Sequence, residues 1–457
     1  MSIDLDTLRA DTRGTVTGPT DPGYDDARAV RNAMIDKRPE VVVQAANAGD
    51  VMTAVRFAGD HGLSVAVRGG AHSVPGFGTA DGAVVVDLSA MRDVRVDPVA
   101  RTARVAGGAT WGDLNAATYP FGLATTGGII STTGVGGLTL GGGIGYLARG
   151  LGLSLDNLVA ADVVTADGTF HVASEKDDAD LFWAIRGGGG NFGIATRLQF
   201  RLHPLESAVG GMLILPATPD TIAGFIAAAE AAPEELSTIA NLMPCPPMPF
   251  VPEEHHGALV ILGMLLYAGT AEDGERGVAP FRALASPIAD QVKPISYAEM
   301  FPPEDPDYHP TAIGRTLFVD RIDRAVAETI LQYLEASDAP MRVAQLRVLG
   351  GAMARVPARA TAFAHRSSRI MVNVAAFYTG EEDRVVRAAY VDDFAAALHQ
   401  GDDGAYVNFL GDEGEARVRA AYPGSTWERL VEIKHRYDPK NLFRRNQNIT
   451  PAAKVTS

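Results

Sequence analysis

Hydrophobic positions in the first 200 residues switch between helical and strand periods. Asp50 stands where an N-cap would, Val51, Ala54, Val55 and Ala58 recur at helical spacing, and Gly62 follows as a stop. An apolar strand over 64–67 runs from that helix into the loop RGGAHSVPGFG (68–78). Further strands are predicted at 83–89, 94–97 and 102–107, followed by a helix around 111–119. This reads as an α+β unit on a small mixed sheet. From about residue 206 longer strands alternate with amphipathic helices: GGMLILPA, a helix near 218–231, ALVILGMLLYAG, and strands near 341–350 and 369–378. That pattern predicts a second α+β domain with a larger antiparallel sheet. The proline-rich insert MPCPPMPFVPEEHHG interrupts it and reads as a surface loop. The tail returns to helix, with Ser425 and Glu428 in capping-box spacing ahead of Trp427, Leu430, Val431 and Ile433.

Composition narrows the class. At 457 residues, 46% hydrophobic and 21% charged, the chain is globular and long enough for two or three domains. Acidic side chains outnumber basic ones, 55 to 40, for a formal charge of −15, which disfavours a nucleic-acid or anionic-membrane partner. No apolar run reaches the length of a membrane span, and the start lacks the basic-then-apolar pattern of a secretory signal, so a cytoplasmic location is expected. One cysteine, Cys245, excludes an intrachain disulfide and a multi-cysteine metal site. The oligomeric state is not legible.

Glycine is the unusual component. Ten of the 24 residues from Gly127 to Gly150 are glycine, in GGIISTTGVGGLTLGGGIGYLARG. Ordering such a segment is entropically expensive, so its backbone is expected to approach a bound ligand closely. The one GxGxxG match, Gly188, Gly190 and Gly193, follows a helix-like DADLFWAIR and precedes the strand IATRLQF. A nicotinamide fingerprint needs the reverse order, and that reading is rejected. GxxxxGK[ST], GxSxG and HExxH are all absent, and no metal site is expected. His61, His171, His203, His365, His399 and His435 sit in ordinary contexts, and the pair His255 and His256 reads as a solvated loop. His72 differs, because it lies in a strand-end glycine turn where backbone N–H groups can meet phosphates.

Four segments together, RGGAHS (68–73), GVGGLTLGGGIG, AIRGGGGNFG and NLFRRNQNI, resemble the berberine-bridge-enzyme-like flavoprotein oxidases of the vanillyl-alcohol oxidase superfamily. The resemblance spans nearly the whole chain in the right order. It implies an α+β fold: a two-subdomain FAD-binding unit (1–205), a substrate domain with a larger antiparallel sheet covered by helices (206–410), and a C-terminal return to the first domain (411–457). It implies that Arg68, Gly69, Gly70, Ala71, His72 and Ser73 wrap the FAD pyrophosphate, with His72 bonded to the flavin 8α-methyl. Gly134, Gly136, Gly137, Gly141, Gly142 and Gly143 would line the flavin and pyrophosphate, Ile194 would sit near the adenine, and Asn446 and Asn448 would return to the flavin.

The chain departs from the pattern in two places. Ile130 occupies the position of the cysteine that makes a second flavin link in many members, so a single covalent link is expected. Ile144, in GGGIG, and Phe409, in YVNF, replace the two tyrosines that take the proton from a substrate hydroxyl. The catalytic base is therefore unknown. Tyr146, Tyr406 and Asn373 are candidates, Asn373 having a cross-strand structural bond as its plainer role. An alcohol must lose its proton near hydride transfer, whereas a neutral amine can give up hydride without a base. The expected function is an FAD-dependent oxidase acting on a small organic molecule with molecular oxygen as partner. Amines are favoured, and alcohols or sugars are possible; the alternative is a flavin-binding protein with little redox turnover.

Overall fold

The computed structural model describes residues 4–32, 34–302 and 311–452. Two sheets form the N-terminal unit. In the first, the spatial order is Thr15–Thr17, Val41–Gln44, Val84–Asp87, Val65–Arg68, parallel except for the first strand. Its inner strands read VVVQ and VVVD because both faces are covered, and such burial removes the polar alternation. The helix Ala48–His61 packs there through Val51, Ala54, Val55 and Ala58. Asn47, rather than Asp50, is its N-cap, accepting the N–H groups of Gly49 and Asp50. Asp50 is buried and its carboxylate takes the N–H groups of Arg13, Gly14 and Ala46, so tertiary donors outcompete the helix end.

The second sheet is fully antiparallel, in the order Val94–Asp97, Thr102–Ala106, Ile194–Arg201, Leu158–Val164, Phe170–Ser174. The one small mixed sheet read from the first 200 residues is thus two sheets. Trp111, Leu114, Phe182, Phe192 and Phe200 fill its core together with Trp427, Leu430 and Ile433 of the last helix, Ser425–Tyr437. That helix starts after Gly424, which has a positive φ of +56°, and Ser425 makes no side-chain cap among the described residues, so the expected capping box is not formed. Asn191 ties the GGGGNFG turn to the tail: its amide donates to the Gln447 carbonyl (3.0 Å) and its Oδ1 accepts Ile449 N–H (2.9 Å).

The large sheet runs Ala289–Asp290, Ala208–Pro216, Leu259–Ala268, Leu236–Pro244, Arg342–Val348, Ile370–Phe377, Ala312–Val319, all antiparallel, with Lys293–Ile295 pairing on Ala208–Pro216. Four helices, Pro219–Ala231, Ala271–Arg282, Arg324–Ala336 and Gly380–Leu398, cover one face through the main core. The other face turns toward residues 144–155 and 406. The proline-rich insert is not wholly a surface loop, since Cys245 and Val251 are buried against Ile214, Val260 and Leu262. No helix among the described residues is long and apolar enough to cross a membrane.

Candidate active site

The strand Val65–Arg68 delivers the RGGAHS loop to the edge between the two N-terminal sheets. Arg68 itself is buried and engaged, its guanidinium pairing with Asp87 (2.7 Å) and with the Ala27 and Ala29 carbonyls. What the loop presents is therefore its backbone from Gly69 onward. Ala71 is held at φ +58°, a left-handed conformation that a non-glycine residue seldom keeps without surrounding constraint. A Cβ on Gly70 would lie 2.4 Å from the Gly134 nitrogen, so glycine lets this loop touch the start of the GVGG segment. His72, half-buried, closes the same contact: its Nε2 is 2.7 Å from Thr132 Oγ1 and its Nδ1 is 3.4 Å from Thr133 Oγ1. Two motifs sixty residues apart thus meet at one imidazole.

Gly134 precedes the short helix Val135–Gly141, on which Gly136 and Gly137 lie, and Gly142 and Gly143 leave it at positive φ. The tightness at 141–143 is against the protein itself, because added Cβ atoms there would meet Asn408, Tyr406 and Ser154. Tyr406 is fully buried, and its hydroxyl accepts from Gly143 N–H (2.8 Å), Ile144 N–H (3.3 Å) and Asn408 Nδ2 (2.9 Å). Those three donors saturate the oxygen, and burial holds the phenol above its ordinary value despite them. Ile194 is buried at the start of its strand, in register with Val164. Ile130 sits partly exposed in the intervening loop.

Residues 75–81 and 444–450 line a cleft of about 440 Å³ that begins two residues beyond Ser73. On its wall the side-chain oxygens of Thr79, Asn446 and Asn448 are buried without a partner among the described residues, as are those of Thr125, Thr126 and Thr139 along the glycine-rich segment. Buried polar atoms rarely stay unpaired in a finished site. Their placement beside the end of the RGGAHS loop and along the glycine-rich segment fits a polar, extended ligand with hydroxyl and N–H donors, as FAD is.

The face of the large sheet turned to this region carries a polar row. Thr316, Asn373, Gln345 and Asn241 are in cross-strand register, and Gln345 Nε2 donates to Asn241 Oδ1 (2.8 Å). Arg347, two residues along from Gln345 and 4% exposed, shares their face; its Nε donates to Gln345 (3.0 Å), its Nη1 to the Ile144 carbonyl (3.3 Å), and its guanidinium lies 5.2 Å from the Phe409 ring centroid. Burial draws Arg347 down to about 10, so it stays cationic at neutral pH. Tyr146 lines a small cavity beside it, and burial pushes its phenol up to about 12 against the pull of Arg347. Arg347 was not foreseen, although a charge inside the apolar strand pattern RVAQLRVLGG was its signal.

A strand-end glycine turn packed on a glycine-rich helix start, with the large sheet facing that segment, is the arrangement this chain shares with FAD-dependent oxidoreductases. The FAD binding domain family matches residues 39–174, and the berberine and berberine like family matches residues 405–450. An FAD-linked oxidoreductase of Dictyostelium discoideum is 31% identical over 433 residues, covering 92% of this chain and 90% of that protein. (R)-6-hydroxynicotine oxidase of Paenarthrobacter nicotinovorans is 30% identical over 466 residues, covering 96% and 97%. Among solved structures, 6-hydroxy-D-nicotine oxidase from Arthrobacter nicotinovorans superposes with a TM-score of 0.88 at 25% identity, over 99% of this chain and 100% of that one. Xylooligosaccharide oxidase from Myceliophthora thermophila, in complex with xylobiose, gives 0.85 at 25% identity over 99% and 100%. The chain belongs to the berberine-bridge-enzyme-like oxidoreductases of the vanillyl-alcohol oxidase superfamily.

Proposed function

We propose that the chain is an oxidase of a small organic molecule, bound between the glycine-rich segment and the polar face of the large sheet. The observation that supports this most directly is the contact of Arg347 with both the Ile144 carbonyl and the Phe409 ring, which joins sheet and segment at the expected reaction centre. When bound, FAD would supply a hydride acceptor at flavin N5 and a route for the electrons to molecular oxygen, with hydrogen peroxide as the product. In this reading His72 carries FAD through a single covalent bond, supported by its fixed imidazole and by the absence of cysteine at Ile130. The backbone of 68–73, Gly134, Gly136, Gly137 and Gly141–Gly143, Ile194, Asn446 and Asn448 hold the cofactor.

Ile144 and Phe409 put hydrocarbon where a phenol base would stand, which favours an amine that donates hydride in its neutral form. The similarity to 6-hydroxynicotine oxidases points the same way. Alcohol or sugar oxidation is the second reading, favoured by the similarity to xylooligosaccharide oxidase and by Tyr146 at the cavity wall. Anaerobic mixing of the purified protein with panels of amines, alcohols and sugars, followed by admission of oxygen, tests it. Bleaching of the flavin by an amine with peroxide formed on reoxidation is the expected result. Bleaching without oxygen uptake would make the chain a dehydrogenase, and no bleaching by any panel would favour a flavin-binding role with little turnover.

A further inference from the structure

We propose that the cavity between residues 144–149 and the large sheet is a carboxylate subsite, so that the substrate is a small organic acid. The inference rests on the oxidase reading above and adds the charge of the molecule that enters.

Four arginines are deeply buried among the described residues: Arg68, Arg149, Arg347 and Arg366. Two are neutralised, Arg68 by Asp87 (2.7 Å) and Arg366 by Asp156 (2.7 Å). Arg149 and Arg347 have no carboxylate partner among the described residues, and both line this one cavity. Arg149 gives its two Nη groups to the Ala229 and Ala232 carbonyls, while its Nε is buried without a partner among the described residues. Arg347 uses Nε and Nη1 on Gln345 and Ile144, and its Nη2 makes no hydrogen bond among the described residues. Ser237 Oγ, also buried and without a partner among the described residues, lies on the same wall with Tyr146.

Arg149 is partly compensated by the terminal carbonyls of the helix Pro219–Ala231 and, at longer range, by Glu234 and Glu230, whereas Arg347 meets no carboxylate among the described residues; a buried cation beside a void leaves an anion as the missing component. The void measures about 20 Å³, room for one water-sized group such as a single carboxylate oxygen and too small for a ring. Ile144, Ile239, Val348, Leu349 and Met353 supply hydrocarbon around the cations, a setting suited to a monoanion and short of the donors a phosphate dianion takes. Bound there by its acid group, a molecule would extend past Ile144 toward the glycine-rich segment. The carboxylate would also offset the positive charge an amine gains on losing hydride, which the two guanidinium groups alone would oppose.

The test compares acids with their neutral amides on the yellow holoprotein: acetate, propionate and benzoate against acetamide, propionamide and benzamide, followed by flavin absorbance and calorimetry. At least one acid should bind about tenfold or more tighter than its amide, and Arg347→Gln with flavin retained should erase most of that advantage. Equal binding of acids and amides to the wild type would overturn the proposal without any variant, as would a preference that survives both Arg347→Gln and Arg149→Gln. Chloride or phosphate binding as tightly as the acids would show a general small-anion site and overturn it too. A colourless protein would instead sink the flavin reading, and calorimetry would still decide the subsite.

Discussion

Tyr406 and Tyr146 are the phenols nearest in sequence to the positions that Ile144 and Phe409 fill, and the fold puts them to different uses. The Tyr406 oxygen anchors the Gly143 and Ile144 N–H groups. Tyr406→Phe should therefore cost about 1–3 kcal/mol of stability through unpaired buried donors, read as a lower Tm. Its flavin reduction rate should fall less than the ~10²-fold typical of losing a general base. Tyr146, pushed up to about 12, stays protonated from pH 6 to 10, so Tyr146→Phe should leave the shape of the pH–rate profile over that range unchanged. A lost ionisation would restore Tyr146 as the base. For His72, acid-precipitated wild type should keep its yellow colour in the pellet, whereas His72→Ala should release FAD to the supernatant. Cys245→Ala should leave visible absorbance unchanged, because Cys245 is buried within the large-sheet domain. His72 was legible because a strand-end glycine turn is a local signal. Its threonine partners were not, since only the fold brings residue 132 to residue 72.

Elements with a strong period were readable and their ends were not. The helices at 48–61 and 425–437 stand where spacing placed them, yet Asn47 and Gly424 occupy the caps assigned to Asp50 and Ser425. At the first helix the choice followed distant backbone donors, the Arg13 and Gly14 N–H groups that draw off the Asp50 carboxylate, which no local pattern records. The glycine-rich segment shows the same limit. Its composition signalled close approach, and at several positions the approaching partner is the chain's own: added Cβ atoms at Gly141, Gly143 and Gly145 would lie 2.0 Å from Asn408, 2.1 Å from Ser154 and 1.8 Å from the Gly127 carbonyl. Gly137 has nothing within 4 Å. Gly143→Ala, at φ +89°, should lose most soluble holoprotein or several degrees of Tm, and Gly137→Ala should fold with Tm nearly unchanged. Similar losses at both positions would contradict this division.

Across the whole molecule, one half-buried and one buried histidine set an acid limit. Burial lowers both His203 and His365 from the ordinary 6.5, so the unfolded chain binds more protons than the native one once pH falls below that value. Their contribution is fully present above pH 6.5 and is lost as pH falls toward their native values. Thermal melts should be flat from pH 8 to 6.5 and decline from 6.5 to 5, with a smaller decline in His203→Gln and His365→Asn. The antiparallel large sheet was legible from strand length, but which of its faces met the cofactor unit was not. Arg347 and Leu346 are neighbours in sequence and point to opposite sides, a distinction set only when the helices choose their face.

That alternation separates two evolutionary tasks. Leu346, Val372 and Val374 belong to the hydrophobic layer under the helices, while Gln345, Arg347 and Asn373 share the opposite surface. In the proposed reading, single substitutions at Gln345 and Asn373 change what the enzyme accepts while Leu346, Val372 and Val374, and on the substrate-facing side the buried Met371 and Phe318, keep the sheet folded.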